Sequence, residues 1–355
     1  MAADVIHDLE LDQEEPDLCI QSETPNLTDE KLDRIRAYVG YFYVVSSFLV
    51  TWKRSKGIEI SYTPWTARCC ELLEQHGKTQ SDLVLSAQTR VSSILFRASK
   101  TMNHKHDQAS EDRRIMMAGF KSELAEIESS LSFPLSFSVS LKMQILFIKA
   151  FLESGTLLRL PFPRSLPSET YKWEPLHFAN AKLHECVHST AALYQELGRL
   201  DDAAFSCFTI VDWSRPILAT ILGIRLSFRI SDCPGWDAEW ARSQLKFDDF
   251  LARMSQQPSD LALVSAKADV LSASRTVIGV VREKYRNRLA AEEQQTKSPA
   301  GITCPILDRS TELHLPVWDA ALDPPPMMEA LGEGPDGQVV FQDLWTAMTM
   351  GWAHD

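Results

Sequence analysis

The stretch SFSVSLKMQILFIKAFLESGTLLRL (136–160) decides the fold, because its apolar residues fall on nearly every face of a helix. Such a helix is stable only where other elements cover it on all sides. The stretch therefore predicts a central buried helix. Phe133-Pro134 marks a break before it, and the proline-rich run PFPRSLPSETYKWEP (161–175) after it predicts a hinge or loop.

Cap and breaker residues predict further helices on both sides. Thr28, followed by two acidic residues, begins a helix that runs to about Lys53, since the helix dipole favours acids in the first turn. The other predicted helices are 64–77, one beginning at Ser81-Asp82, 110–130, 176–199, 204–230, 236–254 and one beginning after Asp260, with Pro216 and Cys233-Pro234-Gly235 as interruptions. The fold class is all-α, a multi-helix domain with disordered acidic ends.

The charge lies at the two ends of the 355-residue chain, whose net charge is −12. Residues 1–30 hold ten acidic residues and no Lys or Arg, and residues 299–355 hold nine acids and one Arg. We expect an acidic disordered tail over 1–29, a helical regulatory domain over 30–295, and a Pro/Gly-rich acidic tail over 296–355 that ends in a short apolar helix. The body is only mildly basic, which argues against a nucleic-acid-binding domain.

The cysteines, the N-terminal residues and the uncharged runs indicate where in the cell the protein is expected. Seven cysteines without a C-x-x-C pair indicate a reducing compartment, the cytosol or the nucleus. The acidic start MAADVIHDLELDQEEP does not resemble a signal or transit peptide. The longest uncharged run, Ala37–Trp52, has sixteen residues, whereas a membrane span needs roughly 17–25 apolar residues. We expect a buried helix there and no membrane contact.

One string has the pattern of a metalloprotease, H-E-x-x-H at 184–188. On a helix His184 and His188 share one face, so they can hold zinc while Glu185 acts as a general base. The extended motif needs a glycine and a third histidine further on, and the chain has other residues at both positions. The alternative is two surface histidines around a buried Cys186.

Two features near the end of the body suggest contacts with other molecules. The basic run REKYRNR (282–288) can contact phosphate or an acidic partner, or it is the solvated end of a helix whose dipole favours cations. Leu263, Val270 and Val277 repeat every seven residues, and this apolar face over 263–289 can pair two copies of the chain. A homodimer is therefore a candidate assembly.

Six segments in chain order resemble the regulatory region of the fungal binuclear zinc-cluster transcription factors. They are YVGYFYVVSSFLVTWKRSKGIEISYTPWTARCCELLEQ (38–75), SDLVLSAQTRVSSILFRAS (81–99), LSFSVSLKMQILFIKAFLESGTL (135–157), LHECVHSTAALYQELGRL (183–200), IRLSFRISDCPGWDAEWAR (224–242) and VVFQDLWTAMTMGW (339–352). Most of each match is hydrophobic pattern, and the order of the six is the stronger signal. The resemblance implies a nuclear transcriptional regulator, specifically of a fungal secondary-metabolite gene cluster.

The resemblance does not extend to the family's DNA reader. That reader is a six-cysteine module that holds two zinc ions, and this sequence has only Cys19 before Cys69. Direct reading of the major groove is therefore not carried over. We expect DNA contact to be indirect, through a DNA-binding partner protein, or to require an N-terminal module missing from this sequence.

The resemblance also implies that the last segment is an activating or docking element for the transcription machinery, with Phe341, Leu344, Trp345 and Trp352 as anchors. The alternative is a C-terminal helix packed on the body. We expect no enzyme, and we assign no catalytic, cofactor-binding or metal-ligating residue and no cofactor. The alternatives that stay open are a zinc-dependent hydrolase that uses the H-E-x-x-H string, and a helical scaffold without a role in transcription.

Overall fold

The structure, a computed structural model, describes residues 6, 11–13, 27–52, 60–103, 110–158, 180–230, 233, 235–256 and 270–297. These residues form eleven α-helices and no β-strand. The predicted all-α, multi-helix fold is confirmed over this part of the chain. The predicted hinge (161–175) and the predicted C-terminal helix, with its four anchors, lie outside the described residues.

The helices are numbered here in chain order. They are α1 (Asp29–Trp52), α2 (Pro64–His76), α3 (Gln80–Asn103), α4 (Ser110–Ser130), α5 (Val139–Ser154), α6 (Asn180–Leu197), α7 (Asp202–Ser206), α8 (Ile210–Leu226), α9 (Ala238–Leu245), α10 (Phe247–Met254) and α11 (Val270–Lys297). Two 3₁₀ turns, Leu135–Phe137 and Gly155–Leu158, flank α5.

The first four predicted helices are confirmed, and α2 shows why the cap residues predict their ends. Thr63 accepts a hydrogen bond from the backbone N–H of Thr66 at 3.1 Å, which satisfies a donor that the first turn leaves free. At the other end the N–H of Gly77 donates to the carbonyl of Leu73 at 2.9 Å. Local sequence alone determines both ends.

The helix predicted over 204–230 is wrong, because two helices, α7 and α8, occupy this stretch. Thr209 and Asp212 form a capping box, in which the Thr209 N–H donates to Asp212 Oδ2 at 3.0 Å and the Asp212 N–H to Thr209 Oγ1 at 3.3 Å. This reciprocal pair begins a new helix. Pro216, predicted to interrupt, lies inside α8.

The helix predicted over 236–254 is also two helices. Lys246 separates α9 from α10 and has φ 47°, the left-handed conformation. That conformation turns the chain between the two helices, and a lysine gives no sequence signal for it because glycine is the usual residue there.

Helix α5 lies at the centre of the assembly, as predicted, and packs against α3, α4, α6 and α8. Its buried apolar residues cover most of its circumference: Leu141, Met143, Ile145, Phe147, Ile148, Ala150, Phe151 and Leu152. The remaining face, which carries Lys142, Leu146, Lys149 and Glu153, is only partly buried. Burial of each large side chain contributes roughly 1.5–3 kcal/mol. Within the described part of the chain, no helix combines the length and the apolarity that crossing a membrane requires.

A close approach between α6 and α8 fixes the relative positions of α6, α8 and α10. The Tyr194 hydroxyl, which is buried, donates to the carbonyl of Ala219 at 2.6 Å. Its ring stacks on Phe250 of α10 with 4.0 Å between the centroids. Gly223 makes room for this arrangement, since a Cβ there would meet the Tyr194 hydroxyl and lie 2.8 Å from Phe247 Cε2.

We expect Gly223→Ala to lower the free energy of unfolding by about 1–3 kcal/mol, because the added methyl group overpacks a buried site. The matched control is Gly40→Ala in α1, where a Cβ meets nothing within 4 Å. The control should raise stability by about 0.4–1 kcal/mol, because alanine has less conformational freedom to lose than glycine. Urea denaturation measures both, and equal effects at the two positions would contradict the close approach.

Candidate functional site

The H-E-x-x-H side chains point to two different neighbours rather than to one metal. Helix α6 turns both imidazoles toward α9, where the ring centroids of His184 and His188 lie 4.0 Å and 5.7 Å from that of Trp240. Glu185 instead lies 3.6 Å from the ammonium group of Lys121 on α4. The two histidines and the glutamate therefore stabilise the contacts of α6 with α9 and α4.

The residue between the histidines is part of the core. Cys186 is fully buried, and its thiol donates to the carbonyl of Ala150 on α5 with an S···O distance of 3.8 Å. Burial raises the pKa of this thiol to about 12, so the thiolate is not populated at neutral pH. The predicted burial of Cys186 is confirmed. Among the residues that the structure describes, no group of three or more His, Cys, Asp or Glu is arranged to hold a metal ion.

The basic run 282–288 forms a clamp between α11 and α10. Arg282 and Arg286 both donate two hydrogen bonds to the carboxylate of Asp248, at 3.1 and 3.2 Å and at 2.7 and 2.7 Å. The hydrogen bonds from Arg286 and then Arg282 lower the pKa of Asp248 to about 2. Two guanidinium groups thus share one acid, and the Arg286 side chain remains 56% exposed.

The apolar face of the same helix is also used inside the chain. Tyr285 is buried, with its ring centroid 4.9 Å from that of Phe247 and 5.6 Å from that of Phe228. The guanidinium carbon of Arg288 lies 4.0 Å from the centroid of the Phe228 ring, a cation–π contact. The described part of the face proposed to pair two copies, residues 270–289, therefore packs on the body of its own chain.

A buried polar network joins α1, α5 and α8, and no sequence signal identified it. Its centre is Arg215 on α8, whose guanidinium donates to Asp212 Oδ1 at 2.8 Å and to the Tyr43 hydroxyl at 2.9 Å. It also donates to the carbonyl of Ser140 on α5 at 3.2 Å. The Arg215 side chain is 4% exposed and the Asp212 side chain 8%, so this is an ion pair removed from water.

Two glutamines extend the network to α3. Gln88 donates to the Ser140 hydroxyl at 2.8 Å, and Gln144 of α5 donates to the backbone carbonyl of Gln88 at 3.0 Å. Ser140 in turn donates to Asp212. Four helices therefore meet through side-chain amides, hydroxyls and one ion pair. The side-chain oxygen of Gln144 is buried and accepts no hydrogen bond from the described residues.

The segment 224–242, one of the six that carry the resemblance, ties the end of α8 to the start of α9. The indole N–H of Trp236 donates to the carbonyl of Leu226 at 3.0 Å, and Arg242 donates to the carbonyl of Ser227 at 2.8 Å. Asp237 caps α9 by accepting from the Trp240 N–H at 2.8 Å. Trp236, Asp237 and Arg242 therefore each satisfy a backbone group at a helix end.

No protein-family model, curated protein or solved structure matches this chain. The resemblance to the fungal regulators rests on the sequence segments alone.

We expect Arg215→Met to lower the free energy of unfolding by about 3–5 kcal/mol, because it leaves the Asp212 carboxylate buried without its counter-charge. Arg215→Lys keeps the charge and loses the planar fork that reaches three helices, so its cost should be smaller. Urea denaturation at neutral pH compares the two variants. Equal losses would show that packing volume, and not the ion pair, sets the cost.

Asp248 predicts an acid-dependent weakening of the α10–α11 contact. Its folded pKa is about 2 and an unfolded aspartate has a pKa of about 3.9. Its contribution is therefore complete above the unfolded value and is lost as the pH falls toward 2. The difference in melting temperature between the wild type and Asp248→Asn should shrink from pH 5 to pH 2. Asp249→Asn is the control, and a difference for Asp248→Asn that stays constant with pH would contradict the clamp.

Proposed function

We propose that this chain is a nuclear transcriptional regulator, specifically of a fungal secondary-metabolite gene cluster. The helical domain acts as the regulatory and interaction domain, and the acidic ends recruit the transcription machinery. The proposal includes no enzymatic activity and no cofactor.

The observation that carries the proposal is how the segments that resemble the fungal regulators pack together. The segments 81–99, 135–157 and 183–200 contribute α3, α5 and α6, and α5 packs directly on both of the others. The segment 224–242 ties α8 to α9 through the hydrogen bonds of Trp236 and Arg242. The segments that carry the resemblance thus contribute to one continuous core, which supports the proposal of a single regulatory domain.

The charge distribution supports different roles for the helical domain, as the interaction domain, and for the acidic ends, as the segments that recruit partners. Residues 1–30 carry ten acids, and the last 57 residues carry nine acids around the aromatic residues of 339–352. Acidic segments with large apolar residues remain hydrated until a partner covers those residues. The partners proposed are the transcription machinery and a DNA-binding protein, so the contact with DNA is indirect.

The zinc-dependent hydrolase gains no support from the geometry, because Glu185 and the two histidines point to different neighbours. A helical scaffold without a role in transcription has the same fold as the proposed regulator. The scaffold and the regulator differ in where the protein is found in the cell, so the experiment must locate the protein.

Chromatin immunoprecipitation with sequencing of the endogenously tagged protein tests the proposal. We expect discrete enrichment at promoters, with a shared DNA motif that belongs to the DNA-binding partner or module. An abundant and intact protein with no promoter enrichment would contradict the proposal and favour the scaffold.

The proposed activating segment can be tested apart from DNA recognition. The full chain is fused to an unrelated DNA-binding domain and placed upstream of a reporter gene. We expect the replacement of Phe341, Leu344, Trp345 and Trp352 by alanine to lower activation, because these side chains are the proposed anchors of the C-terminal end. The control replaces four polar residues of the same region by alanine, namely Gln342, Thr346, Thr349 and His354, and should retain activation. Full activation by the first variant would remove the activating role of this segment.

A further inference from the structure

Part of the acidic N-terminal segment is docked on the helical domain. We call residues 1–13 the arm, of which the structure describes Ile6 and residues 11–13. Ile6 and Leu11 are each 8% exposed, which a solvated tail does not explain. Both belong to a hydrophobic cluster separate from the main core. We call six of the residues that α1 and α2 supply to this cluster the arm site: Leu32, Ile35, Tyr38, Val39, Trp65 and Cys69.

The arm also makes a specific polar contact. The indole N–H of Trp65, whose side chain is buried, donates to the carbonyl oxygen of Leu11 at 3.2 Å. The N–H of Leu11 donates to the carbonyl of Ile6 at 3.0 Å, which closes a turn and brings the two apolar side chains to one side. Departure of the arm would expose the apolar cluster and remove this acceptor from Trp65, so the site is built for a peptide backbone as well as for side chains.

The arm itself defines the chemistry that the arm site accepts. Its two anchors lie five residues apart, and Asp8 and Glu10 lie between them in the sequence. Asp12 follows Leu11 and is exposed. Burial raises the pKa of the nearby Tyr38 hydroxyl, and the negative charge of Asp12 adds to this effect. The arm is therefore a short acidic segment that binds through two aliphatic side chains and one carbonyl group.

We propose that the arm site is a docking site for an acidic segment of a partner protein with two aliphatic anchors spaced like Ile6 and Leu11, and that the arm occupies this site in cis. Residues 14–26 connect the arm to the residues before α1. A tether of this length holds the arm at an effective concentration on the order of millimolar, so a partner segment must outcompete it. The arm is thus an autoinhibitory occupant. This inference does not depend on the proposed function.

The test uses the full chain and a fluorescein-labelled peptide of residues 1–17 as the probe. In the arm-released variant, Ile6→Asp with Leu11→Asp, the charged side chains cannot enter the apolar site. Fluorescence anisotropy should show at least about tenfold tighter binding of the peptide to this variant than to the wild type, whose site is filled. Equal affinities, or no binding to the released variant, would overturn the proposal.

Two controls locate the contact. A peptide that carries the same two aspartates should bind neither protein. Within the released variant, Trp65→Phe should weaken binding by roughly two- to tenfold, because it removes the indole N–H donor and leaves a smaller aromatic ring in its place. Trp236→Phe removes a similar indole donor at the α8–α9 junction and should leave binding unchanged. Binding that is insensitive to Trp65→Phe would overturn the assignment of the site.

Two further measurements keep the outcome decisive. If the two aspartates prevent folding, as judged by circular dichroism and cooperative unfolding, the Ile6→Ala, Leu11→Ala variant replaces them and should also bind more tightly than the wild type. Sedimentation identifies arm exchange between two copies. A wild-type dimer that the released variant loses would overturn the assignment of the arm as a cis occupant.

Discussion

The domain depends on one constraint, the burial of α5 among four neighbouring helices. Its apolar residues cover most of its circumference, and α3, α4, α6 and α8 pack against them. Apolar burial is not directional, so it does not by itself fix how each neighbour is rotated or shifted along α5. The polar residues of α5 contact every one of these neighbours: Ser140 contacts Asp212 of α8, Gln144 contacts Gln88 of α3, Lys142 contacts Glu196 of α6 and Lys149 contacts Glu128 of α4. The apolar residues of α5 hold the domain together, and its polar residues fix the alignment of the neighbouring helices.

A second set of polar contacts that aligns the helices is centred on the buried pair of Arg215 and Asp212. A well-packed apolar pair of similar volume would cost less desolvation, so stability alone does not explain a charged pair at this position. The guanidinium group reaches α1 and α5 as well as its own helix. The ion pair lies within α8, but a misaligned α1 or α5 would leave buried guanidinium N–H groups without their acceptors, the Tyr43 hydroxyl and the Ser140 carbonyl. The network therefore disfavours alternative packings of the same apolar surfaces.

Helix ends that depend on neighbouring residues were predictable from the sequence. Contacts between residues far apart in the sequence were not. Thr63 and Gly77 predict the ends of α2 because both act within four residues. The left-handed turn at Lys246 has no such local signal, since glycine is the usual residue there. The capping box of Thr209 and Asp212 is a local signal that could have been found, whereas Tyr43 and Arg215 meet across 172 positions. The sequence analysis did not predict the docking of Ile6 and Leu11, because the ten acidic residues among the first 30 indicate a solvated tail.

The charge contacts bear on how this chain can engage other molecules. The run 282–288 has the composition of a phosphate-binding patch, but Arg282 and Arg286 are bound to Asp248 and Arg288 lies over Phe228. A nucleic acid that used these residues would have to displace a carboxylate held by four hydrogen bonds, at a cost in domain stability. The Asp248 clamp therefore argues against Arg282 and Arg286 as a ready phosphate-binding patch. The proposed arm site is independent of this clamp, since the arm binds there through two aliphatic side chains and a carbonyl group and uses none of these arginines.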